Sequence, residues 1–225
     1  MNIKILNRSA LGSDIILNNS DMLAFWIGMA KARKPQGKST GQLRVIAGVH
    51  RGRKLPVLDI QGLRPTTDRQ KETLFNWLMM DVQGAVCLDM FAGAGSLGIE
   101  ALSRGAKQTF FVEKNKAAAL NIQDNLSLLK YENSQAKVFH NDAFTVLSTE
   151  LSSSVFDIVF IDPPFNASLV QQSIDMINAH ITLAKDAKIY VECEHTAANF
   201  NFPSHWSLIK QSKSQQSCSQ LFQVS

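Results

Sequence analysis

The stretch Ala85-Val86-Cys87-Leu88-Asp89-Met90-Phe91-Ala92-Gly93-Ala94-Gly95-Ser96-Leu97-Gly98 decides the fold. A short apolar run, 85–90, passes directly into glycines and then into a helical pattern, 96–104. Glycines at a strand-to-helix turn allow positive φ and a close approach of the backbone to a ligand or a neighbouring element. Downstream the same alternation repeats. Strands are predicted at 108–113, 136–140, 155–161 and 187–194, and helices at 115–130, 143–151 and 168–180. Continuous apolar strands separated by helices indicate a parallel sheet covered on both faces. The last two apolar runs, 205–211 and 218–224, are too close together for a crossover helix, so they are expected to pair antiparallel. The predicted fold is α/β, a Rossmann-like, mostly parallel seven-stranded sheet that ends in an antiparallel hairpin.

Upstream, 43–50 and 54–58 are predicted as two β runs around a glycine, a hairpin with arginines at its tip. A helix is predicted from the segment 71–80, capped by Thr66, Thr67 or Asp68, with Leu74, Phe75, Trp77 and Leu78 supplying its apolar side. Three parts are therefore expected: a flexible extension over 1–41, a basic hairpin over 42–62 and a larger domain over 63–225.

The chain has 225 residues and a formal net charge of +4. Between 31 and 54 lie Lys31, Arg33, Lys34, Lys38, Arg44, Arg51, Arg53 and Lys54, with no acidic residue; without these eight charges the chain would stand at −4. Basicity this local suits an element that grips phosphates, Arg44 included. A solvated charged face is the alternative. Cys87, Cys193 and Cys218 are far apart and odd in number, which suggests neither a disulfide framework nor a zinc site. With no apolar run near the ~20 residues that span a bilayer, no recognisable signal peptide and no metal-spaced histidines, a cytoplasmic protein without metal is expected.

The glycine turn is common to nicotinamide and S-adenosylmethionine enzymes, but here it has the form Asp-x-Phe-x-Gly-x-Gly over 89–95. Asp89 would repel a pyrophosphate, whereas it can hold the amino group of a methionine moiety. Phe91, Gly93 and Gly95 complete the turn. Glu113, eighteen residues after Gly95, ends the second strand, where a carboxylate accepts from ribose hydroxyls. Asp142, followed by Ala143, ends the third strand; it can accept from an adenine amino group or simply cap the next helix. S-adenosylmethionine is the expected cofactor, and with the terminal antiparallel hairpin the predicted fold resembles that of class I S-adenosylmethionine-dependent methyltransferases.

The fourth strand delivers Asp162-Pro163-Pro164-Phe165 at its carboxyl end, where open α/β sheets bind ligands. The exocyclic amine of a base is a poor nucleophile because its lone pair is delocalised into the ring. Asp162 can accept one of its N–H groups and the Pro163 carbonyl the other, which draws the nitrogen toward tetrahedral geometry. Successive prolines fix φ and donate nothing. Phe165 offers a stacking face for an extruded base. A carboxyl of pKa near ~3.9 cannot first deprotonate a neutral amine, so the proton is expected to leave during or after methyl transfer.

With these residues in place, the chain resembles the RsmD family, over about 42–224. The resemblance is carried by RVIAGVHRGRKLPV (44–57), GLRPTTDRQKETLFNWL (62–78), LDMFAGAGSLGIEALSRGA (88–106) and FIDPPF (160–165). It implies methylation of N2 of guanine 966 in 16S ribosomal RNA. It also implies RNA contacts at Arg51, Arg53 and Lys54, and places Arg64, Thr66 and Thr67 near the methionine end of the cofactor. The partner it implies is 16S rRNA within a 30S subunit or an assembly intermediate, met by a monomeric enzyme. The front of the chain departs from the pattern: family members start near Met29, so residues 1–28 are expected to be an upstream extension that the working protein lacks. An adenine-N6 or cytosine-N4 methyltransferase, a nicotinamide-binding module and a non-catalytic RNA-binding or assembly protein are the competing possibilities. A DNA enzyme of the first kind usually needs a target-recognition domain, for which 225 residues leave no room.

Overall fold

The computed structural model describes residues 39–59, 67–164, 167–194, 200–214 and 217–225. The extension before Ser39, together with Arg64, Thr66 and Phe165, lies outside the described residues. The elements in chain order are β1 (Ser39–Arg44), β2 (Lys54–Leu58), α1 (Asp68–Trp77), β3 (Val86–Asp89), α2 (Ser96–Ser103), β4 (Gln108–Glu113) and α3 (Lys116–Leu128). There follow β5 (Ala136–His140), α4 (Ala143–Thr149), β6 (Val155–Ile161), α5 (Ala167–His180), β7 (Thr182–Glu194), β8 (Trp206–Lys213) and β9 (Ser217–Val224).

Seven strands form one sheet in the order β5-β4-β3-β6-β7-β9-β8. The first five are mutually parallel. β9 then pairs antiparallel with both β7 and β8. The predicted architecture is the observed one. Ile158, Val159, Phe160 and Ile161 of the central strand β6 have no exposed surface, which is why that strand carries no alternation of polar residues.

Helices cover both sheet faces. On one, Val146 and Leu147 of α4 and Val170, Ile174 and Ile177 of α5 pack on Leu88, Val159 and Ile189. On the other, Leu74, Phe75 and Leu78 of the α1 region and Leu97 and Ala101 of α2 pack on Cys87, Ile158 and Phe160. A third cluster joins Leu43, Val45 and Leu55 of the β1–β2 segment to Ile99, Phe111, Ile122 and Leu126. Fully burying a side chain of this size contributes ~1.5–3 kcal/mol, so the basic segment is anchored on α2 and α3. Among the described residues, no helix is long and apolar enough to cross a membrane.

The hairpin differs from the prediction. β1 starts earlier, at Ser39, and ends at Arg44, so 45–53 is a loop rather than strand and tip. The reason is a competing acceptor. Ile46 and Ala47 donate their N–H groups to the Glu100 carboxylate at 2.8 and 3.0 Å, partners that replace a strand ladder. Val45 N–H to Arg53 O (2.9 Å) and Gly52 N–H to Val45 O (2.8 Å) close the loop at its base. β7 also begins five residues before the predicted start, pairing Thr182 with Val155 across a register irregularity near Asp186, whose φ is 63°. Apolar periodicity stops at such a kink while backbone pairing continues.

Candidate active site

The strand order reverses direction between β4 and β6 around β3, and a cleft of about 540 Å³ opens at the carboxyl ends of these strands. One wall is the glycine turn. Gly93 (φ 55°) and Gly95 (φ 78°) both have left-handed φ. Ala92 N–H donates to Val112 O (2.9 Å), and Gly93 N–H to the Glu113 carboxylate (2.8 Å). The other Glu113 oxygen accepts from Asn115 N–H at 2.6 Å. Glu113 therefore ties the turn to β4 while facing the cleft. Gly98 belongs to the same design: a Cβ there would stand 2.2 Å from the Phe111 ring, so only glycine lets α2 lie this close to the sheet.

Asp89 and Gly95 stand behind the cleft lining rather than in it. Asp89 is 2% exposed and accepts from Gly98 N–H at 3.0 Å, bracing the start of α2. Burial pushes its carboxyl up to about 7, helped by the Glu113 charge and opposed by the Gly98 hydrogen bond. Because the folded pKa lies above the unfolded one, the unfolded chain releases this proton first as pH rises. Stability is then lost from about pH 4 up to about pH 7. Asp89→Asn keeps the acceptor for Gly98 and does not titrate. Between pH 5 and 7.5 the wild type is expected to lose on the order of 2–3 kcal/mol relative to this variant in urea denaturation. Parallel pH profiles for the two proteins would refute the assignment.

At the far end of the cleft, Asp142 caps α4, accepting from Phe144 N–H at 3.1 Å. Its other oxygen meets Lys114 Nζ at 3.3 Å, an exposed pair of little energetic weight. Ala143 lines the floor. Phe91 and Phe144, ring centroids 6.3 Å apart and near perpendicular, give this end two aromatic walls. Ser96, at the start of α2, lines the cleft, and its Oγ is buried with no hydrogen-bond partner among the described residues. The lining fits S-adenosylmethionine: carboxylates for hydroxyl and amino groups, aromatic walls for a purine, and the N-terminus of α2 at Ser96 for a carboxylate.

The opposite wall carries Asp162, half-buried, then buried Pro163 and exposed Pro164, all three lining the same cleft as Glu113 and Asp142. Thr67 sits at the N-cap of α1 in a capping box with Gln70. Sequence reasoning missed several residues that line this wall, among them Gln70, Leu169 and Glu192, and it placed Arg44 only in the basic segment. Glu192 is 7% exposed; it accepts from Tyr190 Oη at 2.7 Å and from Gln70 Nε2 at 2.9 Å. Its signal was available: an acid within an apolar strand, near that strand's carboxyl end.

Arg51, Arg53 and Lys54 lie outside the cleft lining, exposed on the 45–53 loop and its exit, while Arg44 lies on the cleft rim. The loop is locked to α2. Besides the two Glu100 bonds, Ser103 Oγ donates to Ala47 O (2.6 Å) and accepts from His50 N–H (3.0 Å). Val49 N–H meets Ser103 O at 2.8 Å. A Cβ on Gly48 would lie 1.7 Å from that same oxygen. Glu100 is 1% exposed and is neutralised by Arg104 at 2.7 Å, and buried Lys71 donates to Arg44 O. Burial and the Arg53 charge lower the His50 pKa, so this histidine stays neutral at pH 7.

The family model described as "Conserved hypothetical protein 95" matches residues 43–223. "Ribosomal RNA small subunit methyltransferase D" of Haemophilus influenzae is 46% identical over 183 residues, 81% of this chain and 93% of the relative. The protein of the same name from Escherichia coli is 42% identical over 191 residues, 85% of this chain and 94% of its own length. The solved structure of yhhF from Escherichia coli is 40% identical, with a TM-score of 0.75, covering 82% of this chain and 98% of that one.

Proposed function

We propose, because this chain belongs to the RsmD family, that it methylates the exocyclic N2 of guanine 966 in 16S ribosomal RNA with S-adenosylmethionine as methyl donor. The observation that carries the chemistry is Asp162-Pro163-Pro164 opening onto the same cleft as the glycine turn and Glu113. The family and the names of its relatives support ribosomal RNA as the substrate.

The cofactor supplies an electrophilic methyl group on a sulfonium. Everything else falls to the protein. The glycine turn, with Glu113 and Asp142, orients the donor. Asp162 accepts one N–H of the guanine amine and the Pro163 carbonyl the other, which localises the nitrogen lone pair toward the methyl group. As the nitrogen gains its fourth bond it becomes cationic and acidic, and Asp162 accepts the departing proton or passes it to water. Phe165 stacks on the extruded base. The family resemblance assigns Arg64, Thr66 and Thr67 to the methionine end of the cofactor. The loop carrying Arg51, Arg53 and Lys54 and the rim residue Arg44 hold the phosphates, which fixes the position of the RNA without reading its sequence.

Tritium transfer from labelled S-adenosylmethionine to unmodified 30S subunits, naked 16S rRNA and duplex DNA tests this function. Label in guanine of the RNA, strongest on the particle, is the expected result. Label on DNA alone overturns it. In the same assay Arg51→Ala with Arg53→Ala is expected to weaken RNA binding and flatten its dependence on salt, by a slope change of roughly 1–2 on a log–log plot. An unchanged slope would make these arginines a solvated surface.

A further inference from the structure

We propose that Glu192 reads the target base, accepting the ring N1–H that flanks the amine being methylated. The inference rests on the function proposed above, and it names a residue that determines which base that function accepts.

Register puts Glu192 there. β6 and β7 run parallel with Ile161 opposite Val191, so the next position on each strand brings Asp162 beside Glu192. Adjacent strands are ~4.8 Å apart, and directly opposed residues share a sheet face. Both residues line the cleft. Buried Tyr190 lies within the electrostatic reach of both carboxylates. Its phenol is raised well above its usual pKa by burial first and then by the charges of Glu192 and Asp162, so it remains a donor. Tyr190 holds one Glu192 oxygen and Gln70 the other, which leaves lone pairs on both for a ligand. Tyr190 is anchored further by Ser219 Oγ at 3.1 Å, and Gln70 by the capping box at the start of α1. The carboxylate is thus immobilised within the lining of a binding cleft.

A fixed carboxylate beside Asp162 discriminates among amines. In guanine the ring position beside N2 on the Watson–Crick edge is N1–H, a donor. In adenine the position beside N6 is N1, and in cytosine the position beside N4 is N3, both acceptors without hydrogen. Glu192 therefore gains a charge-assisted hydrogen bond from guanine and meets lone-pair repulsion from the other two. Sites built to hydrogen-bond a substrate donor reject analogues lacking it far more strongly than apolar pockets reject a missing methylene.

The experiment compares wild type and Glu192→Gln on RNA carrying guanine, 2-aminopurine or adenine at the target position. 2-Aminopurine keeps the N2 amine but presents a bare N1. Wild type is expected to favour guanine over 2-aminopurine by at least ~10²-fold in kcat/KM. In Glu192→Gln that preference is expected to shrink by tenfold or more, because an amide can turn its N–H₂ toward the bare N1. Intrinsic differences in amine reactivity cancel in the ratio of the two preferences. A variant that loses activity equally on both bases, or keeps the wild-type preference, shows Glu192 to be a structural anchor and overturns the inference while guanine methylation stands. Wild-type labelling of adenine in place of guanine overturns both.

Discussion

Asp162→Ala is expected to lower methyl transfer to the ribosomal RNA by roughly 10²–10⁴-fold, the range for losing an acceptor or proton-accepting group that acts in the transition state. Cofactor affinity, measured by calorimetry, is expected to stay near that of wild type, because the groups suited to the donor are on other elements. Glu113 ends β4 and Asp142 precedes α4, whereas Asp162 follows β6. Asp162→Asn separates two parts of the role. Its carbonyl can still accept an N–H, but it cannot stabilise the positive charge that develops on the nitrogen, so an intermediate rate is expected. If Asp162→Ala instead loses the cofactor and keeps its rate at saturating donor, Asp162 belongs to the donor site and the proposed chemistry is wrong.

Glu100→Ala is expected to cost about 3–5 kcal/mol of stability in urea denaturation, the range for breaking a buried ion pair from one side. The substitution strands three donors at once: Ile46 N–H, Ala47 N–H and the Arg104 guanidinium. Two of these belong to the loop that carries Arg51 and Arg53, so RNA affinity is expected to fall along with stability although none of the side chains proposed to hold RNA has changed. Glu100→Gln keeps one acceptor oxygen and should fall between. A cost below about 1 kcal/mol would mean that water replaces the carboxylate at the loop. The loop's attachment would then rest on its Ser103 hydrogen bonds and on Leu43, Val45 and Leu55.

The glycine turn and the proline motif were legible because their effects are local. Gly93 and Gly95 adopt positive φ within their own residues, and Pro163 and Pro164 restrict their own backbone. The strands were legible because burial on both faces leaves continuous apolar runs, as in 158–161 of β6. The 45–53 loop was misread for the opposite reason. Its apolar, strand-like residues were judged on their own, while Glu100, some 54 positions away, decides where Ile46 sends its N–H.

By itself the sequence determined the order of strands and helices, the glycine turn after β3 and the two-proline turn after β6. All of these follow from backbone preferences and burial patterns that need no distant partner. Only the tertiary structure decided which positions share a site. Glu192 meets Gln70 across 122 residues, and Asp89 turns from the cleft to brace Gly98. Periodicity tells a residue which face it lies on. What it meets on that face depends on strand order, register and helix docking, and these are settled when the whole core closes.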